Sequence, residues 1–354
     1  MTSDIDDLTY FLEYIHHQVQ VDVLGGLQVW SERFTSFRNE GRYSDCQRLL
    51  RVVKKSNLPP YGLGIVRYGE AWLYDRLGYW QMAIKQYRAS LDAFHVAGIS
   101  NLDLEIWNNI GSIYQDQGRW AEAKTVYQQA LEIAASNKNQ RGYGQVQNNL
   151  GNLYQIQNKY DDAERCFKEA LVILNKVDDK YNVAAANLGL GSVYSHQGRG
   201  QDALACFIDA LTDFQKLNNL REVAISLASI ALLYQLQGHR AESMIEYKEA
   251  LSIFSSLQDQ VNTAKTLANL GLLFQEDGNL EQARDYFELA LSGYQELDDK
   301  HGEAVTLVSL ARLHNLLGDA DRALEYSSKA YAISETHSFV DQITRLEMIS
   351  NDIQ

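Results

Sequence analysis

Apolar residues along most of this chain recur at i, i+3, i+4 and i+7, the spacing that lines one face of an α-helix. The stretch NNLGNLYQIQNKYDDAERCFKEAL, residues 148–171, carries two such runs with a polar turn at Asn158 between them. Forty residues earlier the chain reads NNIGSIYQDQGRWAEAKTVYQQAL, and forty later LGLGSVYSHQGRGQDALACFIDAL. The pattern therefore predicts a repeated pair of amphipathic helices rather than one conventional globular core.

The columns of the repeat have physical readings. A small residue stands at Ala71, Gly111, Gly151, Gly191, Ala231, Gly271 and Ala311, where two helix backbones can approach closely. Three positions on come Tyr74, Tyr114, Tyr154, Tyr194, Tyr234, Phe274 and His314. Gly78, Gly118, Asn158, Gly198, Gly238, Gly278 and Gly318 then end the first helix, since glycine takes the left-handed conformation cheaply. The second helix carries Ala83, Ala123, Ala163, Ala203, Ser243, Ala283 and Ala323, then Tyr87, Tyr127, Phe167, Phe207, Tyr247, Phe287 and Ser327. Ser90, Ala130, Ala170, Ala210, Ala250, Ala290 and Ala330 close the unit. Seven units follow one another without insertion or deletion. A single helix pair cannot bury its own apolar face, so stacked neighbours must complete the core.

The ends depart from this register. Residues 7–23 place Leu8, Phe11, Leu12, Ile15 and Val19 on one helical face, and Gly25–Gly26 are expected to break that helix. Residues 27–55 read as a divergent helix pair around Gly41, with Cys46 where the repeats place alanine. SNLPPYG, residues 56–62, separates it from the regular array. Phe339, Ile343, Leu346 and Ile349 sketch a final amphipathic helix. The expected division is an N-terminal helical cap over 1–60, a seven-unit array over 61–337 and a capping helix over 338–354. A different reading makes residues 1–58 an effector module.

Trp107, Ile110, Gly111, Tyr114, Gly118, Ala123, Tyr127 and Ala130 together resemble the tetratricopeptide repeat. The resemblance recurs over residues 61–335. Its period is longer than that family's usual length of about 34 residues. The extra residues lengthen the helices and keep polar connections such as KVDDK, KLNNL and ELDDK. Long units of this kind are similar to those of the spindle adaptor Pins, kinesin light chain and many bacterial repeat proteins. The resemblance implies an all-α, right-handed solenoid with the first helix of each unit lining a concave groove.

Carrying the family's inward positions onto this chain gives a lopsided groove. Gln115, Asn148, Asn152 and Gln155 make the second and third units amide-rich. Ile225, Leu232, Leu236, Leu272, Val305, Val308 and Leu316 make the last three apolar, with Arg312 among them. Gln115, Gln155, Gln235 and Gln275 form an amide column that Asn315 closes, able to donate to and accept from a peptide backbone. A glutamine column can equally bond within the protein. Asp75, Glu105, Asp116 and Glu276 stand against Arg76, Lys265 and Arg312, so the groove is nearly neutral. Of the lysine–asparagine–arginine clamp with which some co-chaperones of this family grip a carboxylate, only Asn152 has a counterpart, and that class is not expected.

Composition narrows the reading further. The net charge of −14 repels phosphate backbones, so nucleic acid is not an expected partner. No stretch approaches 18 apolar residues, so no membrane insertion is expected. The acidic start MTSDIDDLTY lacks the features of a signal peptide, and three cysteines fit a reducing, cytoplasmic compartment. His16–His17 diverge on a helix, and His196 stands alone. Cys46, Cys166 and Cys206 read as packing residues. Nothing assembles a nucleophile, a base and an orienting group. No enzyme activity, cofactor or metal is expected.

The function expected is that of a scaffold or adaptor holding a peptide or helical segment of a partner protein in the groove. One alternative is a peptide-gated regulator similar to the Rap-type sensors, in which residues 1–58 move when the groove fills. Another is a subunit that self-associates as a homo-oligomer.

Overall fold

In the computed structural model the residues described are 3–337, apart from 40, 41 and 55. Gly41 and the expected helix over 338–354, with Phe339, Ile343, Leu346 and Ile349, lie outside them. Seventeen helices and no strand are found among the described residues. Only two prolines occur, and neither interrupts a helix. Pro59 is the extended N-cap and Pro60 the first residue of a helix, where a missing N–H costs nothing.

The chain divides into two compact units, Met1–Val177 and Asp178–Gln354. The first begins with α1 (Ser3–Val21), α2 (Val23–Asn39) and α3 (Tyr43–Val53). Three helix pairs follow: α4 (Pro60–Arg76) with α5 (Trp80–Val96), α6 (Asp103–Asp116) with α7 (Trp120–Ser136), and α8 (Gln140–Ile156) with α9 (Tyr160–Lys176). The second unit holds four pairs: α10 (Lys180–His196) with α11 (Gly200–Lys216), α12 (Leu220–Leu236) with α13 (Arg240–Ser256), α14 (Gln260–Glu276) with α15 (Leu280–Glu296), and α16 (Lys300–Leu316) with α17 (Ala320–His337). Within each unit every pair packs tightly, and the second helix of one pair packs on the first helix of the next. Each unit is thus a short α-solenoid.

The aromatic column of the sequence forms the seam within each pair. Tyr87, Tyr127, Phe167, Phe207, Tyr247 and Phe287 are almost wholly buried. The turn inside each pair is closed in the way the glycine column suggests. At the end of α6, Gly118 N donates to Gln115 O at 2.9 Å and Arg119 N to Tyr114 O at 2.9 Å, with Gly118 at φ 69°. The turns between pairs close in the same way, as from Lys138 N to Ala135 O; the first uses Gly98 at φ 74°, and the later five carry side chains in the left-handed region. Lys138, Asp178, Asn218, Gln258 and Asp298 all have φ between 53° and 55°. The next residue then caps the following helix. Asn139, Asp179, Asn219, Asp259 and Asp299 each accept a bond from the backbone N–H three residues on. The Asp178–Asp179 and Asp298–Asp299 pairs of the sequence therefore split their work: one residue turns the chain and the other caps.

The N-terminal helices correct one expectation. Gly25–Gly26 do not break a helix but lie inside α2. The break falls at Asp22, whose carboxylate accepts from Gly25 N at 3.1 Å and so caps α2. Gly26 has a different task. A Cβ there would stand 2.6 Å from Val19 N, so its absence lets α2 cross close to α1. Ile15, Val19, Trp30, Phe34, Phe37, Cys46, Leu49 and Val53 make the core of these three helices, and Leu73 of α4 joins it.

Candidate functional site

The first helices of the pairs carry the candidate groove residues, and each unit is described by itself. In the second unit α12, α14 and α16 lie side by side. Leu232, Leu236, Leu272 and Leu316 on them are 45%, 68%, 38% and 61% exposed. Leucines this open on adjoining helices depart from the burial that branched aliphatic residues favour. Ile225, Gln235, Gln275 and Val305 are half-buried, and Arg312 is exposed. Val308 does not belong to this surface: it is buried with Leu307 and Ala311. The column that places it in the groove takes no account of Leu291, Tyr326 and Ile333, which pack against this cluster and cover it.

Between α12 and α14 the surface dips into a hollow of about 110 Å³. Ile225, Ala228 and Leu232 form its apolar side, while Asn262, Lys265 and Asn269 supply polar groups. Periodicity puts Ile225 among the apolar residues of the groove and Lys265 among its bases, and the fold brings the two to one cavity.

Two glutamines of the amide column, Gln115 and Gln235, are engaged within the protein, while Gln275 Oε1 is buried without a partner. Tyr247 Oη donates to Gln235 Oε1 at 3.5 Å, and Gln235 Nε2 donates to Glu276 Oε1 of the next pair at 2.9 Å. In the first unit Tyr127 Oη donates to Gln115 Oε1 at 3.5 Å in the same way. These two glutamines fasten the tyrosines of their seams to the first helix of the same pair.

The first unit presents a polar surface on α4, α6 and α8. Tyr68 Oη donates to Glu105 Oε1 at 2.5 Å and accepts from Asn109 Nδ2 at 3.3 Å. Burial, with the Glu105 charge added, pushes the Tyr68 phenol well above its ordinary range, so it stays a donor. Asn149 Nδ2 donates to Asn108 Oδ1 at 2.8 Å across the next pair. Asn148 is buried, contrary to its expected place on the surface. Asn152 is exposed and Gln155 half-buried. Burial raises the carboxyls of Asp75 and Asp116, the Asp75 charge raises Asp116 further, and Arg76 opposes both shifts. The two units thus differ: the polar surface of the first carries Asp75, Glu105 and Asp116 against Arg76, while the second sets Lys265 and Arg312 against Glu276.

Chemistry elsewhere is sparse among the described residues. Burial pushes the Cys46 and Cys166 thiols up to about 11, which leaves them poor nucleophiles at neutral pH. No helix among these residues is long and apolar enough to cross a membrane.

Repeated helix pairs with no strand, joined by left-handed turns and presenting first-helix faces, define an α-solenoid of the repeat-protein class. The tetratricopeptide-repeat family model matches residues 102–176, 182–256 and 262–336, more than half of the chain. The chain belongs to the tetratricopeptide-repeat family. A search of curated proteins finds no match by sequence. Among solved structures, a Rap protein complexed with competence and sporulation factor is 14% identical, covers 96% of this chain and 98% of its own, and gives a TM-score of 0.68. The apo quorum sensor NprR from B. thuringiensis is 16% identical over 94% of this chain and 99% of its own, at 0.66. A signal-transduction ATPase with a tetratricopeptide-repeat sensor, from Pyrococcus horikoshii, is 16% identical at 0.65. It is matched over 96% of this chain but only 52% of its own length. At these identities the likeness is one of fold.

Proposed function

We propose that this protein is a non-enzymatic binding module that holds a peptide or helical segment of a partner protein on the first-helix face of its second unit. The observation that carries this is the apolar strip of Leu232, Leu236, Leu272 and Leu316, exposed together on three adjoining first helices. Exposed apolar patches rimmed by polar groups mark interaction sites. Leucines on a helical face suit the anchors of an amphipathic segment. The hollow beside Ile225 takes one such anchor, and Lys265 on its rim suits an acidic or carbonyl group next to it. Covering one leucine contributes about 2 kcal/mol, which corresponds to roughly 30-fold in affinity.

A second reading, the peptide-gated regulator, is favoured by the two nearly full-length structural neighbours. One is a Rap protein bound to a signalling factor and the other a quorum sensor. Under that reading residues 1–58 respond when the strip is covered.

Selection from a random-peptide display library, followed by calorimetry, tests the proposal. Peptides retained by the wild type should bind Leu232→Glu/Leu272→Glu at least 30-fold more weakly, with circular dichroism unchanged. Equal binding by both proteins rules out the strip as the site. Amide exchange in α1–α3 that slows or quickens on adding the selected peptide favours the regulator reading; unchanged exchange favours the passive adaptor.

A further inference from the structure

Equal positions recur every forty residues, so the first-helix face of the second unit is a grid. Leu232, Leu272 and Arg312 hold the same place on α12, α14 and α16 and form one row. Leu236, Glu276 and Leu316 form a second row, about one helical turn further on. Lys265 lies seven residues before Leu272, which puts it about 10 Å nearer the start of α14.

Two residues of this face break a rule that the rest of the unit keeps. Among the described residues every other lysine and arginine of the second unit is ion-paired, except Lys248, whose ammonium stands 6.0 Å from the centre of the Phe274 ring. Lys265 and Arg312 are exposed, and among the described residues neither has a carboxylate within ion-pairing distance. Pairing is the ordinary outcome for a base in a chain with 46 acids against 32 lysines and arginines. Glu276 in the same grid takes its bond from Gln235 Nε2 at 2.9 Å rather than from either cation. Free cations beside open leucines give the strip an electrostatic sign as well as an apolar surface. A partner that fits carries carboxylates opposite them.

The spacing selects the partner's conformation. Helices packed side by side lie about 10 Å apart, so neighbouring anchors along a row are separated by that distance. Residues seven apart on an α-helix also lie about 10 Å apart on one face. Residues on one face of an extended strand recur at about 7 Å, which fits no pair of anchors in the row. The two rows are about 6 Å apart, within the width of the apolar stripe of one amphipathic helix.

We propose, building on the strip as the binding surface, that its occupant is an acidic amphipathic α-helix lying across α12, α14 and α16. Apolar residues seven apart rest on Leu232 and Leu272, and a carboxylate a further seven along meets Arg312. A second carboxylate, on the flank that faces the start of α14, meets Lys265.

A display library of helix-forming peptides tests this. The peptides are of about 18 residues, long enough at about 1.5 Å each to span three helices. Two leucines are fixed seven apart, and every other position is drawn from Ala, Gln, Glu and Lys. Selection on the full wild-type chain should enrich Glu over Lys seven residues beyond one of the leucines. Selection on Lys265→Glu/Arg312→Glu should enrich Lys there instead. A peptide selected on the wild type should bind the reversed protein about tenfold more weakly, and recover when its Glu is exchanged for Lys. Misfolding of the variant cannot produce that recovery. Proline placed midway between the leucines should abolish binding. No preference for Glu, or equal affinity for wild-type and reversed protein, overturns the charge assignment. Undiminished binding of the proline-bearing peptide overturns the helix. If this library yields nothing while unbiased peptides still bind through Leu232 and Leu272, the acidic helix is overturned and the strip stands as the site. Peptides that bind Leu232→Glu/Leu272→Glu as well as the wild type overturn the strip and the helix together.

Discussion

Arg221 on α12 and Asp259 at the start of α14 are joined by a 2.8 Å bond from Nε to Oδ2. Asp259 meanwhile caps its own helix, its Oδ1 accepting from Asn262 N at 3.2 Å. One carboxylate thus starts a helix and fastens it to the preceding pair. Burial pushes the Asp259 carboxyl up, but the bonds from Arg221 and Asn262 together outweigh it, and the net shift is downward. A group whose folded value lies below its unfolded value adds stability above the unfolded value, about 3.9 for aspartate. That stability is lost as pH falls through the folded value. Asp259→Asn keeps the cap and removes the charge. Because Arg221 is more than half exposed and screened, the loss should stay below about 1 kcal/mol near neutral pH. Asp259→Ala removes the cap as well and should cost about 1 kcal/mol more. Urea melts from pH 7 to pH 3 check this: the gap between wild type and Asp259→Asn should be constant down to about pH 5 and close below pH 4.

The turns between pairs carry a cost that sequence alone did not announce. Gln258 sits at φ 55°, where a side chain crowds the backbone, and no special bond of its side chain accounts for that choice. Gln258→Gly should therefore stabilise the protein by about 0.5–1 kcal/mol after the added entropy of the unfolded glycine is subtracted. The reverse substitution at the matching turn inside a pair, Gly238→Ala at φ 79°, should destabilise by a similar amount. Opposite shifts of the urea midpoint for the two variants are the expected outcome. Equal shifts of one sign would mean that side chains, not backbone conformation, set the turns.

The small-residue column should be the least tolerant of growth. A Cβ on Gly271 would stand 2.6 Å from the Phe287 ring, which is wholly buried. Gly271→Val should cost about 3 kcal/mol, since neither the ring nor the facing backbone has room to move. Gly271→Ala should cost less, because Ala231 fills the same column opposite Tyr247. Thermal melts of the two variants test the ranking.

That column, the aromatic seam and the glycine turns were all legible in the sequence, because each reflects a steric demand that recurs every forty residues. What was not legible depends on single contacts. The start of α2 turns on the side chain of Asp22, which the neighbouring glycines masked as a break. Val308 and Asn148 share columns with surface residues yet are buried by their particular neighbours. The amide column could serve a ligand or the protein itself, and only the structure shows that Tyr127 and Tyr247 bond Gln115 and Gln235 from within.

His314 on α16 occupies a column that holds tyrosine or phenylalanine in every earlier unit. Its ring is 2% exposed and stacks on Tyr326 with centroids 5.3 Å apart. Neither ring nitrogen makes a hydrogen bond, and Asp319 Oδ2 stands 3.5 Å from Nδ1. An imidazole here carries two polar atoms into a site that supplies shape for an aromatic ring and little else. Removing buried polar atoms that lack partners, while keeping the ring, avoids their desolvation cost. His314→Phe, which copies Phe274, should therefore raise stability by about 1 kcal/mol, read as a higher urea midpoint with an unchanged slope. His314→Ala should lower it by about 2–4 kcal/mol through the cavity it leaves. Binding of peptides selected on the wild type should be unaffected by His314→Phe, since the ring is buried and Leu316, Leu272 and Leu232 are untouched. A loss of stability on His314→Phe would show instead that the 3.5 Å contact with Asp319 outweighs the desolvation of the ring. The Asp319→Asn variant of the same protein would then lose a comparable amount.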